Sequence, residues 1–260
     1  MPQEPQPTAN KDRNRSLERG LEVLRSFRPG TDFLGNGEIA ERTGLAKATV
    51  SRLCQTLADS GFLARDKSAR AYRLAPPILS LAHAMRSGSP VLGCAGPLIR
   101  AEAERLKINV GIAVADRDEM VYLESIRYSR KASLRTVVAG QRVPMELTSL
   151  GRAWLAASRL ADRRALMAQF RARRSMADWR RLASEIGEAI SHVHAFGFCS
   201  TSWQPEVVAV AAPFRVPGQD AIHVLNMSVT GSESLPAVEQ KLSRPLLALA
   251  RKIEATLGLS

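Results

Sequence analysis

Between residues 16 and 63 the apolar positions recur at the spacing of three short helices. The first is SLERGLEVLRSF, and the second covers about residues 37–43, behind Asn36, a residue type that favours the N-cap of a helix. After a tight break at Gly44, the stretch AKATVSRLCQTLADSGFL predicts a third helix with an apolar stripe and a polar outer face. The stripe consists of Val50, Leu53, Cys54 and Leu57.

Two short strands and a connecting helix are predicted next. FLARD and AYRL are joined by the polar turn of residues 67–70, as in a hairpin. The segment APPILSLAHAMRS begins with two prolines and then predicts a helix that connects two domains. The Gly- and Pro-containing stretch Ser87–Pro90 marks the boundary of the second domain.

From about Gly96 the pattern predicts a mixed domain. A helix, GPLIRAEAERLK, leads to the strands NVGIAVAD, EMVYLESIR and KASLRTVV and to the loop GQRVP. Helices follow at TSLGRAWLAAS, ADRRALMAQFRARR and WRRLASEIGEAISHVHAF, then the strands GFCSTS, EVVAVAAPF and DAIHVLNMSVT, and a closing helix from Ser232 to about Leu257. Strands grouped at both ends of a domain favour an α/β (α+β) fold, with an antiparallel sheet and helices on one or both faces.

Composition narrows the class of protein without locating a site. The 260 residues are 45% hydrophobic and 24% charged, which is typical of a folded soluble chain. The net charge of +12 suits a polyanionic partner, but residues 1–88 carry +5 of it and residues 89–260 carry +7. With neither a secretory segment nor an apolar run of membrane length in the sequence, we expect a cytoplasmic protein.

The spacing of Ala40, Gly44 and Val50 points to a helix-turn-helix. This motif needs a small residue where two helices cross, a turn residue that tolerates positive φ, and an apolar residue that packs back. A strand pair directly after the second helix makes the motif winged, and that helix then enters the major groove of DNA. A compact helical hairpin of another kind is the alternative.

The candidate DNA-binding residues share the exposed face of the third helix or the wing. Arginine and glutamine side chains there suit the edges of guanine and adenine, and short hydroxyls suit phosphates. The set comprises Lys47, Thr49, Ser51, Arg52, Gln55, Arg70 and Tyr72, with Lys67 beside Arg70 at the wing tip.

The sequence patterns that could indicate catalysis, metal binding or a cofactor are each incomplete. His192 and His194 lie two residues apart and so point to different helix faces, which disfavours a shared metal. Cys199 is near them in the sequence, but no third group is found that would orient a Cys–His nucleophile. The basic run RRALMAQFRARR is interpreted as a solvated helix face, and Trp203 as a core or interface residue. We therefore expect no catalytic set, no metal and no cofactor.

Over residues 15–258 the sequence resembles the IclR family of bacterial transcriptional regulators. The resemblance is carried by SLERGLEVLRSF, EIAERTGLAKATVSRLCQTLADSGFL, AYRL, GQRVPMELTSLGRAWLA, GFCSTS, VVAVAAPF and NMSVTG. It implies a winged helix-turn-helix domain, a linker helix and a GAF-like effector-binding domain. It also implies homodimers or homotetramers on inverted-repeat operators beside catabolic genes.

Two positions depart from the family pattern. Ala46 opens the third helix where many members have Ser or Pro, so that helix lacks a capping side chain. Ala71 stands before the strand tyrosine, where the wing usually has a glycine.

With the resemblance, the domains are a disordered tail at 1–14, the winged helix-turn-helix at 15–75, the linker at 76–88 and the effector domain at 89–260. The expected function is ligand-responsive regulation of a catabolic operon, as a repressor or as an activator. The alternatives are an enzyme with an accessory winged helix and a non-specific basic DNA-binding protein.

The resemblance further implies an effector pocket for a small organic acid. Backbone amides at Ser149 and Leu150 would hold its carboxylate, as physics also favours at a helix N-terminus, and Gly151 would permit close approach. Arg135 is the departure, because an inward guanidinium would add a carboxylate fork, whereas an outward position is equally compatible with strand alternation. The other expected pocket residues are Ala132, Val143, Ser200 (or Thr201), Ala209, Ser228 and Thr230.

Overall fold

The computed structural model describes residues 14–128 and 138–258. Residues 1–13 of the predicted tail and nearly all of the strand predicted at KASLRTVV, with Ala132 and Arg135, lie outside these residues. The last residue of that predicted tail, Asn14, is the N-cap of the first helix. The chain divides into two compact units, one ending at Met85 and one beginning at Arg86, so that the division falls inside the predicted connector.

The first unit is a three-helix domain with a small antiparallel sheet, ordered β1-β3-β2. The helices predicted from apolar spacing are confirmed, and the sheet gains one short strand, β1, that periodicity does not reveal. The elements are α1 (Arg15–Arg25), β1 (Leu34–Gly35), α2 (Asn36–Thr43), α3 (Lys47–Asp59), β2 (Leu63–Asp66) and β3 (Ala71–Leu74). Their core is formed by Val23, Phe27, Leu34, Ile39, Val50, Cys54, Leu63 and Tyr72.

The turn between α2 and α3 has the predicted form. Gly44 has φ of +68°, and its N–H donates to the carbonyl of Ala40 at 2.9 Å, which closes α2. The predicted N-cap of α2 is wrong, since Asn36 is already helical and Gly35 is the cap. The reason is Glu38, whose carboxylate accepts the Gly35 N–H at 2.8 Å and stabilises that helix start.

The connector helix is α4 (Pro77–Ser87), and a longer helix, α5 (Pro90–Leu106), follows it closely. The prediction that α5 starts near Gly96 is wrong by six residues. The Ser89 hydroxyl caps α5 by accepting the N–H of Leu92 at 3.3 Å, and Pro90 occupies the first turn, where proline is favoured. The stretch interpreted as a boundary is therefore also a helix start.

The second unit has a six-stranded antiparallel sheet between two helical layers. Its strands are β4 (Asn109–Asp116), β5 (Glu119–Ile126), β6 (Arg142–Pro144), β7 (Cys199–Gln204), β8 (Val207–Arg215) and β9 (Ile222–Thr230), in the order β6-β5-β4-β9-β8-β7. Its other helices are α6 (Ser149–Ala157), α7 (Leu160–Ala172), α8 (Met176–Phe196) and α9 (Leu235–Gly258). The predicted antiparallel sheet with covered faces is confirmed.

Alternate residues of the central strands pack against the two helical layers. On β9, Leu225 and Met227 face α5 and α9, whereas Ile222 and Val224 face α6, α7 and α8. Because both faces are buried, a one-residue slip would exchange the two sets. The register of β9 therefore decides which side chains reach the α6 side.

The contact of α6 with the preceding chain requires glycine. A Cβ atom on Gly151 would lie 2.0 Å from the carbonyl oxygen of Met145. Gly151 was expected to permit close approach of a ligand, but the group that approaches it closely is the backbone of Met145. The contact fixes α6 against the loop that follows β6.

We predict that Gly151→Ala lowers the free energy of unfolding of the second unit by at least about 2 kcal/mol, since a rigid backbone must move. Urea unfolding followed by tryptophan fluorescence measures it, because Trp154, Trp179 and Trp203 all lie in this unit. The matched control is Gly187→Ala on α8, where a Cβ meets no atom within 4 Å. That variant should gain up to about 1 kcal/mol, and equal losses in both variants would contradict the assignment.

Candidate functional site

The outer face of α3 is a polar, exposed surface. Lys47, Ser51, Arg52 and Gln55 are exposed and Thr49 is half-buried, whereas Val50 and Cys54 lie in the core behind them. Ala46 caps α3 without a side-chain hydrogen bond, as its sequence predicts. The first-turn N–H groups of α3 therefore lack that partner.

One member of this face is already engaged within the helix. The Gln55 side-chain amide donates to the Asp59 carboxylate at 2.7 Å, one turn further along α3. Gln55 would have to exchange this partner to reach a base. Arg52 is exposed, and its guanidinium has no hydrogen-bond partner among the residues that the structure describes.

The wing turn is organised by Asp66 and closed by Arg70. The Asp66 carboxylate accepts the N–H groups of Ser68 at 2.9 Å and Ala69 at 2.8 Å, and the Ser68 hydroxyl at 2.6 Å. These hydrogen bonds, that of the Ser68 side chain first, hold the pKa of the Asp66 carboxyl below its usual value. Arg70 has φ of +50°, so it takes the left-handed conformation, and Ala71 does not need to be glycine.

Tyr72 corrects the predicted DNA-binding set. It is only 5% exposed and belongs to the core of the first unit. On β3, it pairs across the sheet with Leu34 and Arg65. Its ring supports the wing from within, and Arg70 remains the exposed wing-tip residue.

The second unit contains a cavity between the sheet and the start of α6. Its volume is about 130 Å³, close to the ~150 Å³ of an apolar cavity that admits benzene. Most of its wall is apolar, and polar atoms are grouped at a few points. The lining residues are Tyr122, Gln141, Arg142, Val143, Thr148, Ser149, Leu150, Thr201, Trp203, Gln204, Val207, Ala209, Asn226 and Ser228.

The amino terminus of α6 forms one wall of this cavity. The Thr148 hydroxyl caps the helix, accepting the N–H of Gly151 at 3.2 Å and donating to the carbonyl of Pro144 at 2.8 Å. The N–H groups of Ser149 and Leu150, at the first two helical positions, have no intrahelical acceptor. With the helix dipole, they favour an anionic ligand.

Five of the predicted effector residues line the cavity together. They come from β6, α6, β8 and β9, and are Val143, Ser149, Leu150, Ala209 and Ser228. Arg135 lies outside the described residues. Ser200 and Thr230 do not line the cavity, which corrects the prediction that both contribute to it.

Strand geometry explains both corrections. The Ser200 hydroxyl hydrogen-bonds the Glu239 carboxylate of α9, on the opposite face of the sheet, and alternation gives the cavity position to Thr201. Thr230 shares the parity of Ser228 but is exposed at the end of β9. There it lines a neighbouring groove with Asn109 and Lys241, and Ser228 borders both this groove and the cavity.

Sequence reasoning missed the polar pair on the cavity floor. Asn226 Nδ2 donates to the Tyr122 hydroxyl at 3.3 Å, and both side chains are buried. Alternation from Ser228 would have indicated Asn226, two residues earlier on β9. Trp203 was assigned to the core or an interface, but it also lines the cavity.

Arg142 lines the cavity, but its positive charge is already paired with carboxylates. Its guanidinium donates to Asp116 at 2.7 Å and to Glu119 at 2.8 Å, two carboxylates on the neighbouring hairpin. Partial burial lowers the pKa of Arg142, but the hydrogen bonds to Glu119 and Asp116 outweigh it and raise the pKa overall. The groups of the cavity wall that favour an acid are therefore the backbone N–H groups at the start of α6.

The Cys199 thiol and the neighbouring histidines are engaged in packing. Burial raises the pKa of Cys199 to about 12, the opposite of an activated nucleophile. Its thiol donates to the Ser149 carbonyl at 3.4 Å, while His192 Nδ1 pairs with the Phe198 carbonyl at 2.7 Å and His194 Nε2 with that of Ala156 at 3.0 Å.

Both units match one protein family. The family model of the IclR helix-turn-helix domain matches residues 16–67, and that of the carboxy-terminal domain of the bacterial transcriptional regulator IclR matches residues 83–255. The chain belongs to the IclR family. Its first unit is accordingly a DNA-binding helix-turn-helix, and the family consists of transcriptional regulators and not of enzymes.

Known proteins of this family are similar to the chain over nearly its full length. The chain is 30% identical to the Pca regulon regulatory protein of Pseudomonas putida, over 95% of this chain and 85% of that protein. An IclR family regulator from Brucella abortus has a similar crystal structure, with a TM-score of 0.83 and 33% identity over 95% of this chain and 94% of that one.

A more distant IclR homologue, from Microbacterium hydrocarbonoxydans, was crystallised with 4-hydroxybenzoate. It shares the fold, with a TM-score of 0.70 at 19% identity over 94% of this chain and all of that one. Among the described helices of our chain, none has the length and hydropathy that a membrane span requires.

Proposed function

We propose that this IclR-family regulator acts in the cytoplasm on the operator of a catabolic operon and responds to a small organic acid. The observation that carries the proposal is the cavity of the second unit, with the amino terminus of α6 in its wall, in a chain that also has a DNA-binding unit. The 4-hydroxybenzoate bound to the Microbacterium homologue supports an organic acid.

DNA recognition would use the exposed face of α3 and the wing tip. Arg52 has the side chain best suited to a base, because its guanidinium is exposed and can pair with guanine in two places. Lys47, Thr49, Ser51 and Arg70 would contact the phosphate backbone, which positions the protein on the duplex. Gln55 joins them if DNA displaces Asp59.

Acid recognition would use the backbone at the start of α6. Ser149 and Leu150 offer two N–H groups at the positive end of a helix dipole, in the wall of a partly enclosed cavity. The apolar walls at Val143, Leu150 and Ala209 would hold the hydrocarbon part of the ligand. Coupling of this site to operator binding is typically worth about 1–3 kcal/mol, or roughly 5- to 150-fold in affinity.

A second copy of the chain would complete an inverted-repeat operator site. Apolar side chains of α1 and α4 are exposed in the first unit, among them Leu17 and Leu21 on α1 and Leu79, Leu81 and Met85 on α4. Such side chains at helical spacing favour a twofold interface. We propose that they form the homodimer, and that a homotetramer would need a further contact.

We predict that Arg52→Ala lowers the preference for operator DNA about 10- to 100-fold, as expected for one bidentate base contact. Binding to unrelated DNA should persist, since phosphate contacts remain. Gel shifts at a fixed salt concentration, with DNA from upstream of the regulator's own gene and with scrambled competitor, measure the ratio.

The matched control is Arg164→Ala, which removes the same charge from an exposed site on α7. It should leave the ratio unchanged. A ratio that survives Arg52→Ala, or falls equally in both variants, would contradict the proposed face. A wild-type protein without any preference would instead favour the non-specific alternative.

We predict that Ser149→Pro weakens binding of a carboxylate such as benzoate by roughly 10-fold or more, because it removes one N–H donor to a charged group. Proline is favoured at the first helical position, and Thr148, with φ of −103° and ψ of 151°, has the backbone that precedes proline. Isothermal titration calorimetry with a panel of carboxylic acids measures the affinities.

The matched control for this change is Ser149→Ala, which keeps the N–H and removes only the hydroxyl. It should bind benzoate within a few-fold of the wild type. Equal affinities of the proline and alanine variants, with unchanged unfolding midpoints, would contradict carboxylate binding at α6.

We predict that Leu81→Glu dissociates the proposed dimer, because it places a charge at a leucine that is 58% exposed within one chain and would be buried in the proposed interface. Sedimentation equilibrium of the full chain should show the mass falling to that of one chain. Leu160→Glu, at a comparably exposed leucine of α7, is the control and should not change the mass. A wild-type monomer would refute this interface.

A further inference from the structure

Half of the net charge of the chain lies in one short part of the second unit. Residues 159–181, here named the basic segment, hold eight arginines and two aspartates, which gives a net charge of +6. Residues 89–260 as a whole carry +7, and the complete chain carries +12. The rest of this domain is therefore almost neutral, and the basic segment is its positive surface.

Four of the eight arginines have partners within the second unit. Three neutralise carboxylates and one donates to a backbone carbonyl, so these four side chains stabilise the fold around α7 and the start of α8. The ion pairs are Arg173–Asp118, Arg174–Glu146 and Arg181–Asp178, and Arg163 donates to the carbonyl of Leu155.

The other four arginines are exposed and unpaired. Within residues 14–128 and 138–258, no hydrogen bond or ion pair engages the guanidinium groups of Arg159, Arg164, Arg171 and Arg180. Arg164 and Arg171 are seven residues apart on α7, so they share one face and lie about 10 Å apart along the helix axis. The exposed positions around them are mostly short side chains, namely Ala161, Ala165, Ala168 and Ala172.

This face differs from one that only keeps a helix in water, because such faces mix both signs of charge. On α5, for example, Arg105 is paired with Glu102 at 2.6 Å. The single carboxylate of α7 is Asp162, in the first turn, where a negative charge stabilises the helix dipole. Charges of one sign repel one another, so the arrangement on α7 favours an anionic partner.

Duplex DNA is the polyanion that the rest of the chain already binds. The first unit is a DNA-binding helix-turn-helix, and the second unit follows it directly in the sequence. Once the first unit is on DNA, the second unit is held near the duplex at an effective concentration that is typically millimolar. At such a concentration weak contacts form, and a guanidinium can bind two phosphate oxygens at once. An acidic protein would lack this advantage.

We infer that the basic segment is a second DNA-binding surface, which contacts phosphates outside the base pairs that α3 reads. It raises the affinity for DNA of any sequence, because phosphate contacts carry no sequence information. The inference rests on the DNA binding of the first unit. It is independent of the proposed acid and of the base contact proposed for Arg52.

The salt dependence of DNA binding tests the inference. The logarithm of the affinity falls with the logarithm of salt concentration, with a slope of about −0.9 for each phosphate contact. For the full chain, Arg164→Ala/Arg171→Ala should make this slope shallower by about 1.8 for each bound chain, and should weaken binding roughly 10-fold at about 0.1 M salt. Fluorescence anisotropy with a labelled random-sequence duplex of about 60 base pairs measures both quantities.

Two matched variants separate a local contact from an effect of net charge. Arg244→Ala/Arg251→Ala removes two exposed arginines at the same seven-residue spacing from α9, and should leave the slope unchanged. Arg164→Lys/Arg171→Lys keeps both charges on α7 and should retain most of the slope, since an ammonium also neutralises a phosphate. All six substitutions are at exposed helical positions and introduce good helix formers, so the fold is kept.

Equal changes of slope in the α7 and α9 alanine variants would show an effect of net charge and overturn the inference. A slope that the α7 alanine variant retains would also overturn it, and would leave the basic segment to an acidic protein or to solvent. The α7 variants should keep the wild-type ratio of operator to unrelated DNA. A wild type without operator preference would refute the reading of bases by α3, while the slope would still decide this inference.

Discussion

The cavity of the second unit depends on the contact between Gly151 and the backbone at Met145. Because a Cβ atom at position 151 would lie 2.0 Å from the Met145 carbonyl oxygen, only a residue without a side chain allows this approach. The contact seats the first turn of α6 against the loop after β6, so that Ser149 and Leu150 face the cavity. The Thr148 hydroxyl joins the helix start to the carbonyl of Pro144 at the end of β6, and Arg142 joins β6 to the β4–β5 hairpin.

Strand alternation distributes the side chains around that helix start. Apolar runs predicted β4, β8 and β9 as strands, and the sheet order places β4, β9 and β8 away from its edges, where both faces are buried. For β9, the parity that placed Ser228 in the cavity also places Asn226 there, so this part of the site was accessible from sequence. For the edge strand β7, Ser200 and Thr201 are equally plausible by composition, and only the observed pairing assigns the cavity to Thr201.

Other features depended on contacts that a linear pattern does not contain. Tyr122 reaches Asn226 across β4, past an irregularity in register between Ile112 and Ala113. Glu38 displaced the expected N-cap of α2 to Gly35, and Ser89 with Pro90 started α5 where a boundary was expected. In the wing, Arg70 adopts the backbone conformation that a glycine was expected to supply one residue later, while Tyr72 turned inward to the core.

Under the proposed function, the starts of α3 and α6 would apply the same physics to different anions, a phosphate and a carboxylate. Ala46 leaves the first turn of α3 without a side-chain acceptor, next to the face assigned to phosphates, and α6 presents Ser149 and Leu150 to the cavity. Tetrahedral and planar oxyanions share the geometry that such amides prefer. If both helix starts act as proposed, sulfate or inorganic phosphate would compete with operator phosphates at α3 and with the acid at α6, so the composition of the buffer would alter both affinities.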